Sequence, residues 1–348
     1  MEGGRSLEAM RYTTLGSSGL TVSRLAFGAS TFTSGDNSLP GFYKAGPEVA
    51  ARLVGQAIDG GITYFDTADV YAGGQSEELL GAALRPHREA IVLSTKVGNR
   101  DRQSPPGAGL SRAHIQRSID GSLTRLGMTH VDLYIAHKFD PEVPLEDTLA
   151  AFDAVVRAGK ARAIGYSNWP AWLAAAAISM QRANGWATFS HGQMYYSLLG
   201  RDVERDTAAM MRHFGIGMSV WSPLAYGFLA GGYTPEDMAR PDNRFARSDW
   251  LRFDREQAFA LLPLLREIAG DKSCSLAQLS IAWLLTRDTV DTVLLGATKP
   301  LQLADNLGAI AVALSAEDLA RLDAATGFAP HYPSSNWVES MQPKRNKA

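Results

Sequence analysis

Cysteine is almost absent: Cys274 stands alone in 348 residues, which excludes an intrachain disulfide and any cysteine-rich metal centre. Long apolar runs are missing too, since no stretch approaches the ~20 uninterrupted apolar residues of a membrane span. Neither sign of charge is in excess. A net charge of -2 and a pI near 6.4 leave no basic footprint for a nucleic-acid partner. The opening MEGGRSLEAM lacks the basic start and apolar core of a signal peptide, so a cytoplasmic, soluble protein is expected. Histidines at 87, 114, 130, 137, 191, 213 and 331 form no two-His helical pair, and no catalytic metal is expected. Gly-x-Gly-x-x-Gly, Gly-x4-Gly-Lys, Gly-x-Ser-x-Gly and His-Glu-x-x-His are all missing. Those absences disfavour a Rossmann dinucleotide enzyme, a phosphate loop, a serine nucleophile elbow and a zinc protease.

What is present is a repeat. Short apolar runs predict strands near Leu25–Gly28, Thr63–Asp66, Ile91–Thr95, Leu133–Ala136, Ala163–Tyr166, Phe189–Gln193, Ile216–Ser222 and Thr292–Leu295. Between them lie amphipathic stretches such as PEVAARLVGQAIDGG, HIQRSIDGSLTRLG and LEDTLAAFDAVVRAGK, each closing on Gly or Gly-Lys as helices often do. Ser275 with Gln278, and Ser315 with Asp318, have the spacing by which side chains satisfy free amides at a helix start. Eight alternations predict a (β/α)8 TIM barrel, α/β in class, as a single domain over 1–348 with its core at about 25–325. Before the first barrel strand, Arg11–Arg24 reads as a β-hairpin, placed to close the barrel floor. After the seventh strand, a Gly-rich connection from about Pro223 to Arg255 is long enough to be functional.

Four polar residues sit at or just beyond the ends of adjacent strands: Asp66 and Tyr71 in ITYFDTADVY, Lys96 in IVLSTK and His137 in VDLYIAH. In a barrel of this kind the active site lies at the C-terminal strand ends, where an acid, a phenol, an amine and an imidazole can move a proton to or from an oxygen. Singly each has a plainer reading, as a turn cap, a packed ring, a solvated charge or a core histidine. Together, at neighbouring strand ends, they point to catalysis.

The chain from about Met10 to Asp323 resembles the aldo-keto reductases, barrel oxidoreductases that bind a nicotinamide dinucleotide without a Rossmann fold. The resemblance rests on FDTADVY, LSTKVG, LYIAH, IGYSN, Gln193 in QMYYSLL, WSPLAYGFLAGG and LLGATKPLQLADN, in that order. It implies an NAD(P)H-dependent reductase of aldehydes or ketones, with Tyr71 as general acid and His137 orienting the carbonyl. An ammonium at Lys96 favours the phenolate of Tyr71, and Asp66 holds that ammonium charged. The same proton and hydride paths also serve alcohol oxidation. The LLGATKPLQLADNLGAI segment is similar to the potassium-channel β subunits of this family, so a nicotinamide-binding regulatory subunit is the alternative.

The same resemblance gives Ser167, Asn168 and Gln193 to the nicotinamide carboxamide, which needs both donors and acceptors. It gives Trp221 to stacking on the nicotinamide ring. Phosphates are expected over Ser222, Leu224, Gly227 and Gly231, taken to start a flexible loop, and over Gly296 and Thr298 at a helix start. Lys299 adds a charge that favours the 2′-phosphate of NADPH, with NADH possible. Gln302 and Asn306, one helical turn apart, resemble adenosine contacts. Gln302 stands where many animal members carry Arg, and Asp305 where they often carry Glu. Phe32, Phe139, Trp169 and the tail around Trp337 are candidate pocket walls, with Gly98–Gly109 as a lid, the tail over the active-site face, and Arg244 as a contact to an acidic substrate or the cofactor.

Overall fold

The computed structural model describes residues 10–35, 44–100, 108–240, 245 and 251–327. Trp337, Arg244, the C-terminal tail and positions 101–107 of the expected lid lie outside the described residues.

A short antiparallel hairpin, β1 (Tyr12–Thr14) and β2 (Thr21–Ser23), precedes the barrel. Eight parallel strands follow: β3 (Leu25–Gly28), β4 (Tyr64–Asp66), β5 (Val92–Val97), β6 (Val131–Ala136), β7 (Ala161–Ser167), β8 (Phe189–Tyr195), β9 (Gly217–Trp221) and β10 (Val290–Leu295). Each pairs with the next, and β10 returns to pair with β3, closing the ring. The order of the expected strands holds throughout; their bounds move by one or two residues.

The helices are α1 (Pro47–Asp59), α2 (Gln75–Leu84), α3 (Arg112–Leu126), α4 (Leu145–Arg157), α5 (Ala171–Ala183), α6 (Thr207–Phe214), a short α7 (Pro235–Ala239), α8 (Arg255–Asp271), α9 (Leu276–Leu285), α10 (Pro300–Leu307) and α11 (Ala316–Thr326). Ser275 and Gln278 cap α9 reciprocally, and Ser315 and Asp318 cap α11, as their spacing predicts. None of the described helices is long and apolar enough to cross a membrane.

Side-chain alternation divides the strands into two sets. Phe65, Leu93, Val97, Tyr134 and Ala136 join the large cluster between sheet and helices. Tyr64, Val92, Leu133 and Ile135 join a second cluster with Leu15, Leu20 and Val22 of the hairpin. These alternate positions line the lumen, because successive strand residues point to opposite faces. The hairpin is the floor. Gly16 donates its N–H to Asp291 Oδ2 at 3.1 Å, and a Cβ on Gly16 would overlap the backbone of Gly217 at the start of β9. Its φ of +52° is a second reason that glycine stands there.

The connection after β9 departs from the expected flexible loop. Its described part folds into a 3₁₀ turn, Ala225–Ala230, and then α7, whose start carries a reciprocal cap between Thr234 and Asp237. Phe228, fully buried, anchors the segment against Phe253 and Phe259 with ring centroids 5.4 and 5.0 Å away. An aromatic spaced among the glycines supplies the core that the glycines alone could not.

Candidate active site

Asp66 ends β4, Lys96 is the penultimate residue of β5, His137 follows β6, and Tyr71 opens the 3₁₀ turn Tyr71–Gly74 beyond β4. The fold brings the four together. Lys96 is fully buried and its ammonium has three partners: Asp66 Oδ2 at 2.6 Å, the Thr67 carbonyl at 2.7 Å and the Tyr71 hydroxyl at 3.3 Å. An ammonium has three protons, so its capacity is met. The Tyr71 ring stands edge-on to His137, centroids 5.7 Å apart. Asp66 Oδ1 accepts from Ser94 Oγ at 2.6 Å and from Gln193 Nε2 at 3.1 Å.

Electrostatics follow from this packing. Burial works against the charge on Lys96, but Asp66 and the Tyr71 oxygen outweigh it and raise Lys96 above its ordinary range. His137 is pushed far below the usual imidazole range by burial, then by Lys96 and Lys138, and is neutral. Its Nδ1 is buried without a hydrogen-bond partner. Behind the turn lies a second acidic group. Burial and the neighbouring Glu77 push Asp69 up to about 7, with one carboxyl oxygen buried and unpartnered. Glu77 is fully buried, accepting from Thr95 Oγ1 at 2.5 Å and pairing with Arg125 Nε at 2.6 Å.

The residues assigned to a nicotinamide also meet at the strand ends. Ser167 ends β7 in register with Gln193 on β8, and Trp221 ends β9 in register with Tyr195. Asn168, held at φ +55°, joins all three strands. Its N–H donates to the Gln193 carbonyl at 3.2 Å, its Oδ1 accepts from Tyr195 N at 3.1 Å and Trp221 Nε1 at 3.0 Å, and its Nδ2 donates to Ser167 Oγ at 2.8 Å. Tyr195, missed in the sequence, packs on Trp221 with centroids 5.3 Å apart.

Further round the ring, Ser222 takes φ +51° and its Oγ accepts from Tyr226 N at 3.1 Å, while the Leu224 carbonyl accepts from Gly227 N at 2.9 Å. Gly231 ends that turn. Gly296 and Lys299 are exposed, and no side chain caps the start of α10. Gln302 Oε1 is turned back to Thr298, accepting from its N–H at 3.0 Å and its Oγ1 at 3.1 Å. Asn306 is buried, and Asp305 is held by Ser275 Oγ at 2.7 Å and Gln278 Nε2 at 3.0 Å. Two expected pocket walls are core instead. Phe32 is fully buried against Phe27, and Trp169 is packed among Tyr166, Phe189 and Phe139; of the three walls among the described residues, only Phe139 keeps an open face.

A sequence profile of the Aldo/keto reductase family matches residues 24–326. The chain belongs to this family. Among similar aldo/keto reductases, a probable voltage-gated potassium channel subunit beta of Oryza sativa subsp. japonica is 35% identical over 313 residues, 87% of this chain and 92% of that protein. A versiconal hemiacetal acetate reductase of Aspergillus parasiticus is 31% identical over 335 residues, 90% of this chain and 96% of that protein. Membership makes the chain one of a family of oxidoreductases that act on carbonyl compounds with a nicotinamide cofactor. Of the residues around Asp66, Tyr71, Lys96 and His137, sequence reading missed Ser94 and Tyr64, although each stands two positions before one of the four and so on the same strand face.

Proposed function

We propose that this aldo/keto reductase reduces an aldehyde or ketone to an alcohol with NADPH, Tyr71 donating the proton. The observation that carries the reading is the Tyr71 hydroxyl 3.3 Å from a fully buried ammonium that Asp66 pairs at 2.6 Å. A positive charge fixed there stabilises the oxygen anion left as the phenol gives up its proton, and costs no reorganisation during the reaction. His137, neutral, can donate to the carbonyl oxygen and turn it toward Tyr71. The bound cofactor supplies the hydride.

The residues present suit such a cofactor. Trp221, braced by Asn168 and Tyr195, offers a fixed aromatic face for a nicotinamide ring. Ser167, Asn168 and Gln193 supply donors and acceptors at one rim. Ser222 and Leu224 would carry the diphosphate on backbone N–H groups, with Gly227 and Gly231 in the turn beside them, and Gly296 and the uncapped α10 start would take the adenosine phosphate. Exposed Lys299 at that start favours NADPH over NADH. Gln302 and Asn306 border the adenosine side.

Tryptophan fluorescence should be quenched by NADPH, less so in Trp221→Ala. Tyr71→Phe should keep the quench while losing NADPH oxidation across an aldehyde and ketone panel. Full turnover in Tyr71→Phe would sink the acid assignment; absence of dinucleotide binding would sink the cofactor. The 35% identity to a potassium channel subunit beta favours a second reading, a nicotinamide-binding regulatory subunit. That reading expects tight NADPH binding with no carbonyl in the panel turned over, nor its alcohol oxidised.

A further inference from the structure

The lumen beneath the tetrad holds a line of buried hydroxyls that the reaction as described leaves unused. Ser94 and Lys96 alternate on β5, as Tyr64 and Asp66 do on β4, so all four face inward, with Asp66 and Ser94 in register. Ser94 and Tyr64 are both fully buried. Ser94 Oγ lies 2.6 Å from Asp66 Oδ1 and 3.1 Å from the Tyr64 hydroxyl. A serine hydroxyl has one proton. A carboxylate oxygen can only accept, so that proton goes to Asp66, and the bond from Tyr64 must run with the phenol as donor. Burial, reinforced by the charge of Asp66, holds Tyr64 well above the usual phenol range, protonated and able to donate.

Gln193 completes the arrangement, donating to the same Oδ1 from β8. Oδ1 thereby takes two neutral donors and leaves Oδ2 to the ammonium. We propose that Ser94, braced by Tyr64, is a positioning residue for the Asp66–Lys96 pair, fixing which carboxylate oxygen faces the ammonium and so where the positive charge sits beside Tyr71. This rests on the reading of Tyr71 as proton donor. Linked hydrogen bonds polarise one another, so the line from Tyr64 through Ser94 and Asp66 to Lys96 acts as a unit.

Removing the Ser94 hydroxyl leaves Asp66 Oδ1 with Gln193 as its one remaining donor and takes from Tyr64 the acceptor at 3.1 Å. It also removes a dipole whose positive end points toward the tetrad. Each change weakens the help that Lys96 gives to the Tyr71 anion. Among the described residues, the titratable and charged groups around that oxygen are Lys96 from β5, Asp66 from β4, His137 after β6 with Lys138 beside it, and Asp69 on the turn; deeper in the lumen, His191 of β8 is held neutral by burial and by Lys96, down to about 3. Lys96 already has all three protons in use, and His191 Nε2 lies 2.8 Å from Ser219 Oγ, so neither supplies the lost donor.

The test compares Ser94→Ala, Ser94→Thr and Tyr64→Phe with wild type, folding being checked by circular dichroism. Ionisation of Tyr71 is read without cofactor or substrate, as the ultraviolet phenolate signal of each protein minus that of the same protein carrying Tyr71→Phe. Ser94→Ala should move this titration upward by about one pH unit and lower kcat roughly tenfold, the size expected for one hydrogen bond to a charged group. KM should hardly change. Ser94→Thr, which keeps the hydroxyl, should restore both, and Tyr64→Phe should move both part of the way in the same direction. A folded Ser94→Ala with the wild-type titration and kcat overturns the inference, as does a shift that Ser94→Thr fails to restore. Wild-type protein that reduces none of the panel overturns the reading of function instead, and the phenolate titration then reports on the hydrogen-bond line alone.

Discussion

Asp69→Asn isolates one buried carboxyl and puts a number on its cost. Asp69 in the folded chain holds its proton up to about 7, against 3.8 for an ordinary aspartate. A carboxyl raised in this way contributes relative stability that is fully present below the unfolded value and is lost as pH rises through the folded one. From about pH 5 to about pH 8 some two pH units of that window are crossed, worth ~3 kcal/mol at about 1.4 kcal/mol per unit. Asp69 keeps some contact with solvent, and screening brings the figure to ~2 kcal/mol. An asparagine has nearly the same shape and cannot ionise. At about 2 cal/mol/K per residue, a chain of 348 residues moves roughly 1.4 °C per kcal/mol. Scanning calorimetry should therefore find Asp69→Asn gaining about 3 °C on wild type as pH is raised across that range. A difference in Tm that stays constant with pH would refute the reasoning, because a neutral group makes no other pH-dependent contribution.

Lys96→Met leaves Asp66 buried without its ammonium and should cost about 3–5 kcal/mol in urea denaturation along with carbonyl reduction. The double change Asp66→Asn with Lys96→Met should regain much of the stability and none of the activity; a double variant no more stable than the single would contradict the pairing. Lys299→Ala should weaken NADPH roughly tenfold by calorimetry while leaving NADH unchanged, as expected for one contact to a charged phosphate. Equal loss for both dinucleotides would remove the 2′-phosphate contact. Gly81→Ala forces a Cβ of α2 into the backbone of Leu126 on α3 and should lower stability by ~2–3 kcal/mol with the pH dependence of activity unchanged.

The ring of strands was readable because a parallel strand covered on both faces is an apolar run whatever its neighbours do. The ends were less so. β5 runs on through Lys96 to Val97, and β6 begins at Val131 before Asp132, because polar side chains inside a lumen or pinned by a partner look, in sequence, like the start of a turn. The tetrad was legible from its place at successive strand ends. Its support was not: the bond from Trp221 to Asn168 joins positions 53 apart, a pairing that depends on β7, β8 and β9 lying side by side. Phe32 and Trp169 look like pocket walls by loop position, yet the strand–helix layer absorbs them. Phe228 was hidden for the opposite reason, an anchor in a stretch whose glycines read as looseness.

The bond between Gln193 and Asp66 joins strands four places apart in a ring of eight, and so on opposite sides of the lumen, across 127 residues of chain. A folding chain cannot make it until β8 has come round to face β4. Contacts of such sequence separation form late, after the local strand–helix units. Asp66 and Lys96 can pair early, between adjacent strands, but the full donor set of the carboxylate waits for the barrel to close. Recovery of proton transfer during refolding would thus time the closure of the ring, not the formation of the secondary structure that precedes it.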